Sequence, residues 1–142
     1  MEEKVLGISV DLSDVPPGEP PWRSIGWQRA KRAIAEAVAY CLCSILDGCR
    51  VYLLDLHGGE PSEGLGDKDM DLAVDCIDPP QAQQLEQELE HLVRRVLEKK
   101  LGGDPYSKLQ VPNLVEVHST REYLIERHVS AGPPYSILVC GG

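Results

Sequence analysis

The hexapeptide VYLLDL at residues 51–56 constrains this chain most, because five of its six residues are apolar. So short and nearly continuous an apolar run reads as a strand buried on both sides. Stripes of helical period lie before and after it. Across residues 24–47, Ala30, Ala33, Ile34, Ala37, Val38, Cys41, Leu42 and Ile45 recur at helical spacing behind a Ser24 N-cap, and Gly48 stops them. Asp78 followed by Pro79 is a second helix start, with Ala82, Leu85, Leu89, Leu92, Val93, Val96 and Leu97 as its buried stripe and Gly102-Gly103 as its end.

Four further strands are expected. Residues 5–12 alternate, with Leu6, Ile8, Val10 and Leu12 on one side; 69–76 place Met70, Leu72 and Val74 toward the core; 111–117 and 135–140 complete the set. The prolines of SDVPPGEPP, residues 13–21, forbid helix and central strand, making that stretch a connector, and 105–110 reads as loop. Ser119 and Glu122 are spaced as a capping box for a last helix whose Tyr123 and Leu124 pack inward, ended by Gly132 and two prolines. The expectation is an α/β (α+β) fold: one domain over 1–142, a mixed sheet of about four to five strands flanked by three to four helices, with 1–23 as an N-terminal strand and Pro-rich extension.

At 142 residues and a formal charge of −9, the chain has room for one site and repels the phosphate backbone of long nucleic acid. A small nucleotide carried with its metal, or a protein partner with a basic face, stays compatible. The basic cluster Arg29, Lys31 and Arg32, with Glu36, reads as a solvated helix face and as the place to meet an anionic partner. Trp22 and Trp27 suit core lids better than base-stacking platforms. Five cysteines without a C-x-x-C pair fit reduced thiols. With no apolar run of membrane-spanning length and no signal peptide, a cytoplasmic protein away from membranes is expected.

The chemistry concentrates in LHGGEPSEGLGDKDMDL, residues 56–72. Side chains alternate along a strand, so Asp69 and Asp71 share a face with Cα atoms roughly 6 to 7 Å apart. Crowded carboxylates raise one another's pKa unless a cation or water relieves them. Hard divalent ions prefer such oxygen ligands, whereas a plain solvated face needs no ion. Gly58 and Gly59 bare the backbone for close approach to phosphate, and Lys68 is the one cation in the loop. Glu116, midway along an apolar strand, is costly if buried alone and so is the natural third acid; an edge strand facing solvent would also tolerate it. His57 and His118 lie near strand ends and could meet, though each alone is more often structural.

Together these residues resemble the signature of the nucleotidyltransferase superfamily that includes DNA polymerase beta, and within it the small single-domain minimal nucleotidyltransferases. That signature runs hydrophobic, Gly, Gly or Ser, a short gap, then Asp, hydrophobic, Asp, hydrophobic. Here His57 replaces the first hydrophobic, followed by Gly58, Gly59, a loop over 60–68, Asp69, Met70, Asp71 and Leu72. The resemblance implies a nucleotidyltransferase-like sheet from Ser24 onward, with Glu116 as the third carboxylate on a strand beside the Asp-x-Asp strand. It implies Mg²⁺ or Mn²⁺ held by Asp69, Asp71 and Glu116, with Gly58, Gly59 and Lys68 at the phosphates. The implied activity transfers a nucleoside monophosphate from a nucleoside triphosphate to a hydroxyl. Gly59 stands where Ser is commoner, Glu60 and Glu63 where basic residues are frequent, and Glu116 where Asp is. Those departures suit the alternative: a catalytically inactive, antitoxin-like binding or regulatory module acting through a small-protein partner. Acceptor, base preference and oligomeric state leave no trace in the sequence.

Overall fold

The computed structural model describes residues 1–54 and 68–142. The expectations placed on His57, Gly58, Gly59, Glu60 and Glu63 therefore lie outside the described residues. The fold is mixed α+β. Its helices are α1 (Glu2–Leu6), α2 (Ile25–Ile45), α3 (Pro79–Leu101), α4 (Pro105–Leu109) and α5 (Tyr123–Ser130), with a 3₁₀ turn at Pro21–Arg23. Its strands are β1 (Val51–Leu54), β2 (Met70–Val74), β3 (Val115–Ser119) and β4 (Ser136–Cys140), in one sheet of order β3-β2-β1-β4. β1 pairs antiparallel with β2 and β4, while β2 and β3 run parallel across the connection through α3.

Local chemistry accounts for the long helices. The Ser24 side chain accepts the Trp27 N–H at 3.0 Å and opens α2. Asp78 and Gln81 form a reciprocal capping box at α3, and Gly102 closes it at φ 67°, a left-handed turn that Gly adopts without strain. Trp27, Ile34, Val38 and Leu42 of α2 and Val93, Val96 and Leu97 of α3 are fully buried. They meet Val51 and Leu53 of β1, Met70, Leu72 and Val74 of β2, and Val115 and Val117 of β3 in one core. Truncating a fully buried leucine such as Leu72 to Ala is worth roughly 3 kcal/mol.

Helix α3 also closes the outer edge of the sheet. Glu90 accepts N–H groups of Leu114 at 2.9 Å and Val115 at 2.8 Å, and Glu86 accepts that of Val117 at 2.9 Å. The alternate N–H groups of β3, which have no strand to bond, are thus taken by carboxylates of the neighbouring helix. The same Glu90 accepts the Tyr106 hydroxyl at 2.6 Å.

Several expectations are corrected. The N-terminal strand over 5–12 is instead α1, ending at Leu6 and followed by irregular chain, with Val5 buried between α2 and α3. That chain docks on the first turn of α2, where a Cβ on Gly26 would lie 1.7 Å from the Asp11 carbonyl oxygen; only Gly fits. Residues 105–110 contain α4, capped by the Asp104 side chain on Tyr106 N–H. The strand expected from 111 begins at Val115. Ser119 does not cap α5; its hydroxyl donates to Ile77 O at 2.6 Å and accepts Arg121 N–H. Tyr123 and Leu124 face outward, 69% and 73% exposed, and Ile45 leaves the α2 stripe at 61%. Lys31 is 2% exposed and engaged with a partner, so it does not belong to a solvated basic face.

Four of the five cysteines are not reduced thiols. Cys43 is bonded to Cys140 and Cys49 to Cys76, leaving Cys41 free. The pairing depends on the sheet, which sets Cys140 opposite Val51 at the end of β1. Cysteine usage therefore no longer argues for a reducing compartment. Among the described residues no helix is long and apolar enough to cross a membrane.

Candidate metal centre

The centre grows from the register of β2 and β3. Asp71 stands directly opposite Glu116, and Ala73 opposite His118. Paired residues share a face and residues two apart on a strand share a face, so Asp71, Glu116 and His118 converge on the side turned away from Met70, Leu72 and Val74. His118 Nε2 lies 3.2 Å from Asp71 Oδ1 and 3.6 Å from Glu116 Oε2. One donor atom from each of the three residues falls within 4.8 Å of the other two. Side-chain exposures of 15% for Asp71, 24% for His118 and 33% for Glu116 leave the group sheltered yet reachable.

The carboxylates press on one another. Glu116 sits above its usual carboxylate pKa, chiefly through a hydrogen bond with Asp71, then through partial burial and the Asp71 charge. Asp69 and the charge of His118 act in the opposite sense. His118 is held above its usual value by the hydrogen bond to Asp71 and by the negative charges of Asp71, Glu116 and Glu122, against the cost of burial. The Asn113 amide donates to Glu116 Oε1 at 3.4 Å, steadying the carboxylate from its other side.

Of the three acids named from sequence, Asp71 and Glu116 stand opposite each other and gather with His118, whereas Asp69 precedes β2 and is not one of that group. Lys68 adjoins Asp69 in the chain, and its carbonyl accepts the Trp27 indole N–H at 3.4 Å, fastening the start of β2 to α2. Gly58 and Gly59 lie outside the described residues. His118 was missed as a member, yet the signal was present: in Val115-Glu116-Val117-His118 it stands two places after Glu116 on a strand. A second group with metal-ligand spacing, Cys49, Asp75 and Cys76, has its two sulfurs joined in a disulfide, which leaves no thiolate to bind an ion.

The Asp71 and Glu116 carboxylates and the His118 imidazole form a donor set suited to a divalent ion. Comparison of the chain with protein-family models, with curated proteins and with solved structures returned no match.

Proposed function

We propose that this chain is a metal-dependent, nucleotidyltransferase-like enzyme that moves a nucleoside monophosphate from a nucleoside triphosphate to a hydroxyl acceptor. The observation that carries the reading is the direct pairing of Asp71 with Glu116 across β2 and β3, with Asp69 two residues before Asp71 in the chain. A buried strand, the Gly58-Gly59 pair, an Asp-x-Asp strand, a helix, and a third acid on the adjacent parallel strand follow one another in the order the superfamily signature implies.

The donor chemistry fits Mg²⁺ or Mn²⁺, which bound here would offset triphosphate charge and orient the phosphoryl group for in-line attack. Asp69 and Asp71 would hold the ion, and Glu116 would share it and take the proton of the acceptor hydroxyl as pyrophosphate leaves. Lys68, with Gly58 and Gly59, receives the phosphates. Thermal melting with Mg²⁺ or Mn²⁺ and each nucleoside triphosphate tests this, since a ligand at 100 times its Kd adds about 2.7 kcal/mol. Wild type should be stabilised, Asp71→Asn should not, and label from the triphosphate should move to an acceptor. No shift at millimolar ligand would overturn the reading.

One observation favours a second reading, a module acting through a protein partner. Leu124 and Tyr135, both exposed, line one cleft at α5, and exposed apolar side chains of this kind are what protein partners cover. Under that reading nucleotide and metal leave melting unchanged and no label is transferred.

A further inference from the structure

We infer that His118 is a nitrogen ligand of the centre, and that the site therefore selects an ion that takes imidazole more readily, Mn²⁺ or Zn²⁺, over Mg²⁺. This rests on the metal-centre part of the function proposed above and narrows the ion it takes. Two donors bound at about 2.1 Å to one ion lie roughly 3.0 Å apart at an octahedral edge and 3.4 Å apart at a tetrahedral one. His118 Nε2 is already 3.2 Å from Asp71 Oδ1 and 3.6 Å from Glu116 Oε2, so an ion enters between the three with small side-chain rotations. An imidazole that only oriented Asp71 would need no approach to Glu116. Here Nε2 faces both carboxylates, and the Asn113 amide contacts the other Glu116 oxygen, Oε1.

Ligand chemistry then sets the preference. Mg²⁺ dehydrates reluctantly and favours oxygen, whereas imidazole suits Zn²⁺ and accepts Mn²⁺. Asp71, Glu116 and His118, with Asp69 as a fourth donor, leave two positions of a six-coordinate ion for water or phosphate oxygens, as an ion serving chemistry requires.

Chelator-stripped protein would be titrated calorimetrically with MnCl₂, ZnCl₂ and MgCl₂ in the absence of nucleotide, and the Mn²⁺ complex examined by electron spin-echo spectroscopy. Wild type should bind Mn²⁺ and Zn²⁺ at least tenfold tighter than Mg²⁺, and the Mn²⁺ signal should carry ¹⁴N modulation. His118→Ala should weaken Mn²⁺ and Zn²⁺ binding by about 10- to 100-fold, leave Mg²⁺ nearly unchanged, and remove the modulation. His118→Gln, which keeps a polar group of similar reach, guards against loss through misfolding, and circular dichroism checks both variants. Equal affinity for the three ions, absence of ¹⁴N modulation, or equal loss for all ions in the variants overturns the inference. Label transfer is read separately. Transfer supported by Mg²⁺ and indifferent to His118 would sink the inference alone, whereas His118-dependent Mn²⁺ binding without transfer would sink the transferase alone.

Discussion

Replacing Glu90 with Ala should be among the most damaging changes outside the apolar core, although the side chain is only half-buried. Its carboxylate accepts from Leu114 N–H at 2.9 Å, Val115 N–H at 2.8 Å and Tyr106 Oη at 2.6 Å. Hydrogen bonds to a charged acceptor contribute about 1.5 to 3 kcal/mol each, but they share one carboxylate and water reaches part of the site, so they do not add. A net loss of about 3 kcal/mol is expected. For a chain of this size, at roughly 3 °C per kcal/mol, Tm would fall by about 10 °C. Glu90→Gln keeps one acceptor oxygen but turns an amide toward a donor, so an intermediate loss of about 1 to 2 kcal/mol should follow. Tyr106→Phe isolates the hydroxyl at about 1 kcal/mol. Urea unfolding of the three variants beside Glu88→Ala, an exposed position on the same helix, would measure these losses. If Glu90→Ala fell within 0.5 kcal/mol of that control, the sealed-edge explanation of β3 would be wrong.

Stability of the metal-free protein should fall as pH rises. The folded state holds the His118 proton more tightly than the unfolded chain, so that contribution is complete below the usual value of 6.5 and disappears as pH climbs through the raised one. Glu116 acts in the same direction from its usual 4.5 upward, because the hydrogen bond with Asp71, and then burial, favour its protonated form. Melting from pH 5 to pH 9 with chelator should show a decline that saturating Mn²⁺ flattens; a rise without metal would contradict the assignment. Reduction with dithiothreitol should lower Tm as well. Chain entropy assigns about 4.7 kcal/mol to Cys43–Cys140, at a sequence separation of 97, and about 3.6 kcal/mol to Cys49–Cys76, at 27. The Cys43→Ser/Cys140→Ser pair should therefore cost more than Cys49→Ser/Cys76→Ser, and equal melting of all forms would discount both bridges.

Local signals carried far in this sequence wherever the residue that makes an element also stays within it. Asp78, Pro79 and Gln81 announce α3, and Gly102 ends it, because capping involves neighbours only. Asp71 and Glu116 were legible as partners because strand alternation and an apolar setting flag each acid on its own, whereas Asp69, expected on the same strand, falls one residue before β2. What failed depends on distant contacts. Leu6, Ile8, Val10 and Leu12 alternate as a strand would, yet Val5 is drawn into the α2 and α3 contact and, among the described residues, no strand pairs with the segment. Ser119 has capping-box spacing, but its hydroxyl is taken by Ile77, 42 residues away in sequence. Cys43 and Cys140 could be matched only once β4 was known to lie beside β1. Lys31 matched the periodicity of its exposed neighbours Arg29 and Arg32, and its burial follows from what α2 packs against.

The two cystines and the acidic centre occupy opposite ends of the same strands. Cys49, Cys76 and Cys140 gather near the row of Val51 and Val74, whereas Asp71 pairs with Leu54 at the other limit of β1. Cross-links suppress partial opening of the segments they join, so amide protons near Val51 and Cys140 should exchange with deuterium only through whole-molecule unfolding. Those at Met70 and Asp71 have no such tether and should exchange sooner. A gradient of exchange along single strands would let the liganding end adapt its shape to an incoming ion while the far end keeps the strands in register.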